Sequence, residues 1–136
     1  TLHKILRALG TDFAEFFTSN TSADSSPVFR REEMQSIEDA HRRYQLLLPK
    51  RADIGFEMLQ ETIAPSEKKT AWETHDCDFA GVLLQGGPAR LEVDGGEHWP
   101  VRKGDAFYIK AGQKHRLCVV NKRTIELITV RYPPRY

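Results

Sequence analysis

The first 17 residues carry a single apolar stripe. Its members recur three or four positions apart, which is the periodicity of one face of an α-helix, and they are Leu2, Ile5, Leu6, Leu9, Phe13, Phe16 and Phe17. Gly10 can end a first helix, and Thr11 or Asp12 can cap the start of a second. The pattern therefore predicts two short helices, over about residues 1–9 and 12–18.

The next segment changes character. Residues 19–27 read SNTSADSSP, and such small polar side chains compete with backbone hydrogen bonds and bury little apolar surface. They predict a linker. Residues 28–48 are ambiguous, because apolar positions at helical spacing compete with the strand-like segments VFR and YQLLL.

Beyond residue 54 the chain alternates between short apolar segments and turns. The segments are IGFEMLQETI, FAGVLLQ, ARLEV, AFYI, HRLCVV and TIELITVRY, and the turns between them are APSE, GGP, DGG, RKGD, KAGQ and NK. Short strands separated by turns rich in glycine indicate a mainly β fold. We expect an antiparallel barrel or sandwich of the jelly-roll kind.

Composition narrows the class of protein. The chain has 136 residues, of which 40% are hydrophobic and 29% charged, as in one soluble globular domain. Its formal net charge of +1 excludes a protein that coats DNA through excess positive charge. No apolar segment approaches the roughly 20 residues of a membrane span, and no secretory signal pattern opens the chain. With only Cys77 and Cys118, these features predict reduced thiols in a cytoplasmic protein.

Two motifs resemble the signatures of the cupin family. GDAFYIKAGQKHRLCVVN resembles the second signature through Gly104, Gly112 and His115, although Lys110 replaces the usual Pro and Asn121 comes two positions late. HDCDFAGVLLQGG, with the two residues before it, resembles the first signature through His75 and Gly86, with Glu73 at the first His position and Phe79 at the usual Glu position. The resemblance covers about residues 55–133 and implies a cupin double-stranded β-helix, a jelly-roll barrel, within a cupin domain over residues 28–136.

A second resemblance concerns the beginning of the chain. TLHKILRALGTDFAEFF resembles the end of an XRE-type helix-turn-helix domain, so the whole chain resembles bacterial transcriptional regulators that join such a head to a cupin sensor. This resemblance implies a helix-turn-helix tail over residues 1–18, a linker over 19–27 and strands at VFRR and YQLLL. Because the recognition helix is missing, DNA would be bound only through the absent N-terminal head. A homodimer is expected, since such heads usually read two half-sites.

The site chemistry follows from strand alternation. Side chains two positions apart share one face of a strand, and the cupin resemblance implies that this face lines the barrel together with His115. Tyr108 is added as an aromatic side chain that could stack on an effector. The predicted effector site is therefore His75, His115, Glu73, Cys77, Phe79 and Tyr108.

Three of these residues form a possible metal site. Glu73, His75 and His115 make a set of two histidines and one carboxylate that could bind Zn²⁺, Ni²⁺ or Fe²⁺. Against a metal, Phe79 replaces the usual carboxylate ligand. In the alternative interpretation the two histidines are hydrogen-bonding residues of a metal-free pocket.

The sequence supports two functions. We expect a small-molecule effector-sensing domain of a DNA-binding transcriptional regulator, which is not an enzyme and has no catalytic residue. The alternative is a stand-alone cupin metalloenzyme, an isomerase or a dioxygenase, which requires an open metal site.

Overall fold

The computed structural model describes residues 26–134. It contains one turn of 3-10 helix, Arg31–Glu33, and nine strands: β1 (Ser36–Glu38), β2 (Arg42–Leu46), β3 (Glu57–Ile63), β4 (Asp78–Gln85), β5 (Ala89–Val93), β6 (His98–Val101), β7 (Ala106–Ile109), β8 (His115–Val119) and β9 (Ile125–Tyr132). The described residues form no α-helix. The two helices predicted for residues 1–18, and most of the predicted linker, lie outside the described residues, so the helices are not confirmed.

The strands form two sheets in which every neighbouring pair is antiparallel. The larger sheet has the order β1-β2-β3-β9-β4-β7, and the smaller has the order β6-β5-β8. Along β3, fully and partly buried positions alternate without a break, as strand geometry requires when one face is turned to a core. The predicted mainly β antiparallel fold is confirmed.

An apolar core is shared by both sheets. Its buried members are Ile63, Phe79, Leu83, Ala89, Leu91, Val101, Ile109, Ile125 and Leu127. Burial of each large side chain of this kind contributes about 1.5–3 kcal/mol. Polar side chains are also buried on the larger sheet, among them Glu61, whose carboxylate accepts a hydrogen bond of 2.7 Å from Thr129 Oγ1.

Residues 28–48 contain two segments that were expected to be strands, and only one of them agrees with that prediction. YQLLL largely follows the expectation, because Arg42–Leu46 pairs with β3. VFRR does not form a strand: the exposed residues Arg30–Glu33 have no apolar face to bury, and Glu33 N–H donates to the Arg30 carbonyl at 3.0 Å in a 3-10 turn. No helix within residues 26–134 is long and apolar enough to cross a membrane.

Candidate metal centre

Glu73, His75 and His115 meet inside the fold. One ligand atom from each, a carboxylate oxygen or a ring nitrogen, lies within 4.8 Å of the other two. Glu73 N–H donates to the His115 carbonyl at 2.7 Å, and His115 N–H donates to the Glu73 carbonyl at 2.9 Å. These two hydrogen bonds form an isolated β-bridge between Glu73 and His115, the first residue of β8. Glu73 precedes β4, which begins at Asp78, so it is not part of a regular strand.

A glycine positions His75. The carbonyl oxygen of His75 accepts a hydrogen bond of 2.7 Å from Gly112 N–H, and Gly112 has a φ of 82°, in the left-handed region that favours glycine. The His75 ring then lies 5.3 Å from the ring of His115, measured between centroids. The two cupin-like motifs are therefore hydrogen-bonded to each other at the site.

The His115 ring is held with one nitrogen turned to the site. Nδ1 lies 3.0 Å from the carbonyl oxygen of Gln113, and because a carbonyl only accepts, Nδ1 carries the proton and Nε2 carries a lone pair. Burial lowers the pKa of His115, which favours this neutral ring. Among the described residues, the buried Nε2 atoms of His75 and His115 have no hydrogen-bond partner.

The carboxylate of Glu73 is kept ionised. Arg42 Nη1 donates to Glu73 Oε1 at 2.9 Å and to the Tyr44 hydroxyl at 3.0 Å. Burial raises the pKa of Glu73, but the nearby His75 ring and the charge of Arg42 outweigh burial, so the net pKa lies well below its ordinary value. Glu73 Oε2 lies 3.6 Å from His75 Nε2.

Arg42 and Tyr44 were missed by the sequence analysis. They alternate on the inner face of β2, where Tyr44 is buried. Arginine in a strand usually faces solvent, and its partner Glu73 is 31 residues away. The only signal in the sequence was that Arg42 and Tyr44 are two positions apart, which places them on the same face of a strand.

Aromatic and aliphatic side chains close the site. The Phe79 ring stacks on His115 with centroids 5.7 Å apart, and its centroid is 5.4 Å from that of His75. Beside the Phe79 and His115 rings lies a cavity of about 20 Å³, room for one water molecule or one ion, lined in part by Glu61, Leu91 and Leu127. Phe79 thus provides an apolar surface at the position where the first cupin signature usually has a glutamate.

Two predicted site residues lie elsewhere. Cys77 is buried, but its sulfur does not belong to the cluster of ligand atoms. Tyr108 is 60% exposed and donates its hydroxyl to the Asp78 carboxylate. On β7, the neighbours Phe107 and Ile109 turn inward, so alternation turns Tyr108 outward.

The residues present fit a divalent ion. Two imidazole nitrogens and one carboxylate oxygen suit Zn²⁺, Ni²⁺ or Fe²⁺, which bind such ligands at about 2.0–2.2 Å after a small contraction of the cluster. A buried nitrogen lone pair without a partner costs free energy that an ion would recover. The hydrogen bond from Nδ1 of His115 to a carbonyl is the usual support of a metal-binding histidine.

A comparison with models of protein families shows the family to which the chain belongs. The family model described as "Cupin domain" matches residues 59–131. The chain belongs to the cupin family. The cupin fold implied by the two motifs is therefore confirmed.

Solved structures share this cupin fold. A RmlC-like cupin from Shewanella frigidimarina NCIMB 400 has a TM-score of 0.66 at 15% identity, covering 82% of this chain and 94% of its own. Fe(II)-bound HppE has a TM-score of 0.70 at 13% identity, covering 96% of this chain and 74% of its own. Ectoine synthase from P. lautus has a TM-score of 0.66 at 22% identity, covering 81% and 80%. No curated protein sequence matches the chain.

These neighbours overturn one prediction. The expectation that the chain is not an enzyme is contradicted, because the structures that share its fold include an ectoine synthase and HppE, which has been crystallised with an alternative substrate. Identities this low show the fold alone, so they carry no particular reaction to this chain. These comparisons give no evidence for an XRE head or for a regulator.

Proposed function

We propose that this cupin is a metal-dependent enzyme that acts on a small molecule, with Glu73, His75 and His115 holding a divalent ion. The observation that carries the proposal is the pair of buried Nε2 atoms that have no hydrogen-bond partner among the described residues, set beside an ionised carboxylate. Two histidines and one carboxylate with open positions are typical of non-haem Fe²⁺ oxygenases. We therefore expect Fe²⁺ ahead of Zn²⁺ and Ni²⁺, and a dioxygenase ahead of an isomerase.

The chain's own residues prepare the site. When bound, such an ion supplies a Lewis acid and, if it is iron, a redox centre. Arg42 keeps the Glu73 carboxylate ionised and oriented, and the carbonyl of Gln113 keeps the proton of His115 on Nδ1. Phe79 excludes water from one side of both rings. These are the tasks of positioning and desolvation that a protein performs around a reactive ion.

An anaerobic Fe²⁺ titration followed by calorimetry tests the proposal. We expect one equivalent to bind the parent chain, and His75→Ala or His115→Ala to weaken binding by more than about 100-fold, since even loss of an outer hydrogen bond costs about 10- to 100-fold. The matched control is His98→Ala, at an exposed position of β6, which should bind like the parent. Equal affinity in all four proteins, with Zn²⁺ and Ni²⁺ behaving alike, would contradict the proposal.

The regulator remains the lesser alternative. Its evidence, the helix-turn-helix resemblance, falls on residues 1–18, outside the described part of the chain. The effector pocket of a regulator and the enzyme site would be the same residues, so the two interpretations differ only in whether the ligand is converted. The homodimer and DNA binding through a helix-turn-helix head stay predictions.

A further inference from the structure

A larger cavity adjoins the candidate metal centre. It has a volume of about 270 Å³, near the lower end of ligand pockets at about 300–1,000 Å³. Four residues line both this outer cavity and the small cavity beside Phe79 and His115, and they are Arg42, Glu73, Ile63 and Leu117. A molecule in the outer cavity would therefore contact the same Arg42 and Glu73 that border the metal centre.

The charged side chains of the outer cavity are mainly positive. Its lining includes three cations and two carboxylates: Arg42, Lys68, Lys69, Asp39 and Glu73. Both carboxylates already have donors, because Glu73 accepts from Arg42, and Asp39 accepts from the backbone N–H of His41 at 3.0 Å and of Arg42 at 2.8 Å. The positive potential of the lysines therefore remains for a ligand.

Three donors in the outer cavity are available. Among the described residues, Lys68 and Lys69 form no ion pair, and Nη1 is the only side-chain nitrogen of Arg42 that makes a hydrogen bond. The lysines belong to the loop between β3 and Glu73, where Ser66 Oγ accepts from Lys68 N–H at 3.2 Å. An arginine whose other N–H groups have no partner in the described structure, with two lysines lining the same cavity, is suited to an anion.

The uncharged residues of the lining indicate what the rest of the anion is like. Ile63, Ala64, Leu117 and Val119 provide an apolar surface, which suits a short hydrocarbon chain. No glycine lines the cavity, so the backbone N–H cradle typical of phosphate sites is absent from this part of the described structure. One excess positive charge also matches a carboxylate better than a phosphate dianion.

We propose that the outer cavity binds a small aliphatic carboxylate as the substrate of the metal centre, with its carboxylate on Lys68, Lys69 and Arg42. As a substrate assignment this rests on the proposed function. The binding itself requires no metal, so the two ideas can fail separately.

The test uses the metal-free full chain and four probes that differ only in their polar group: butyrate, butyramide, butylamine and butyl phosphate. Backbone amide shifts measured by NMR report both affinity and location. We expect butyrate to bind most tightly and to shift the amides of residues 66–70, with binding that weakens as salt is raised. Replacing both lysines, Lys68→Gln with Lys69→Gln, should weaken butyrate binding about five- to tenfold.

The matched control replaces two exposed lysines outside the cavity, Lys103→Gln with Lys122→Gln, and should leave butyrate binding unchanged. Tighter binding of butyl phosphate, equal binding of butyramide, or equal losses in both double variants would overturn the proposal. If Fe²⁺ fails to bind while butyrate behaves as expected, the metal proposal falls and the carboxylate site stands. If Fe²⁺ binds as expected but butyrate does not, only the proposed carboxylate site is contradicted.

Discussion

Two arginine–glutamate pairs in this molecule have nearly the same geometry and different surroundings. Arg42 and Glu73 are 2.9 Å apart, and Arg116 and Glu92 are 2.8 Å apart, with side chains shielded to similar degrees. In the second pair Arg116 also donates to the Thr70 carbonyl, and Glu92 accepts from the Cys118 thiol. That pair joins β5 to β8 and has no imidazole among its described partners.

The first pair borders two imidazoles whose buried Nε2 atoms have no hydrogen-bond partner in the described structure. A close ion pair therefore does not mark a functional site. What marks it is the convergence of two imidazole nitrogens without a hydrogen-bond partner on the carboxylate of the pair, because a fold retains such atoms at a cost in stability. The Arg116–Glu92 pair serves as an internal control for the Arg42–Glu73 pair.

The largest expected effect comes from Arg42→Met. Removing the guanidinium leaves the partly buried Glu73 carboxylate ionised without its arginine, and breaking such a pair costs up to about 3 kcal/mol. Urea denaturation at neutral pH should show this loss of unfolding free energy. Adding Glu73→Gln should recover much of it, whereas equal losses with and without that second change would show that the two side chains are not coupled.

The same loss should depend on pH. The lowered pKa of Glu73 means that its stabilising contribution is present above the ordinary value of 4.5 and is lost as the pH falls below it. The gap in unfolding free energy between the parent and Arg42→Met should therefore narrow below pH 4.5, by up to about 1.4 kcal/mol per pH unit. A gap that stays constant from neutral to acid pH would argue against a charge effect.

Arg116→Met should have the smallest effect. The hydrogen bond from Arg116 is the main cause that lowers the pKa of Glu92 to about 2, so its loss should move that pKa upward. We expect a smaller fall in unfolding free energy than for Arg42→Met, because Glu92 keeps Arg90 at 3.7 Å and the Cys118 thiol as partners. The Fe²⁺ affinity should be unchanged. A loss of Fe²⁺ binding in Arg116→Met, measured by the same calorimetry, would remove the distinction between the two pairs.

Much of the fold was predictable because its signals are local. Alternating segments separated by glycine-containing turns gave most of the strands beyond residue 54, and the turn at Gly112 that supports His75 follows from a short motif. The expected strand at VFRR was wrong, because it rested on the family resemblance, which was followed instead of the helical periodicity of residues 28–48. Charged residues in succession, Arg30–Glu33, leave no face to bury.

The site was predictable only in part. Spacing placed Glu73 and His75 with His115, although the segment before β4 is not a regular strand. Arg42 could not be found in this way, because its pairing with Glu73 depends on how β2 lies across the barrel. Tyr108 was included for its chemistry, yet the alternation of β7 turns it outward.

The central claim is that Glu73, His75 and His115 hold one metal ion. Crystals grown with Fe²⁺ without oxygen, and measured just above the iron absorption edge, would locate that ion directly in an anomalous difference map. We predict one strong peak between the Glu73 carboxylate and the Nε2 atoms of His75 and His115. A map with no peak there, or with iron only at surface residues, would contradict the claim.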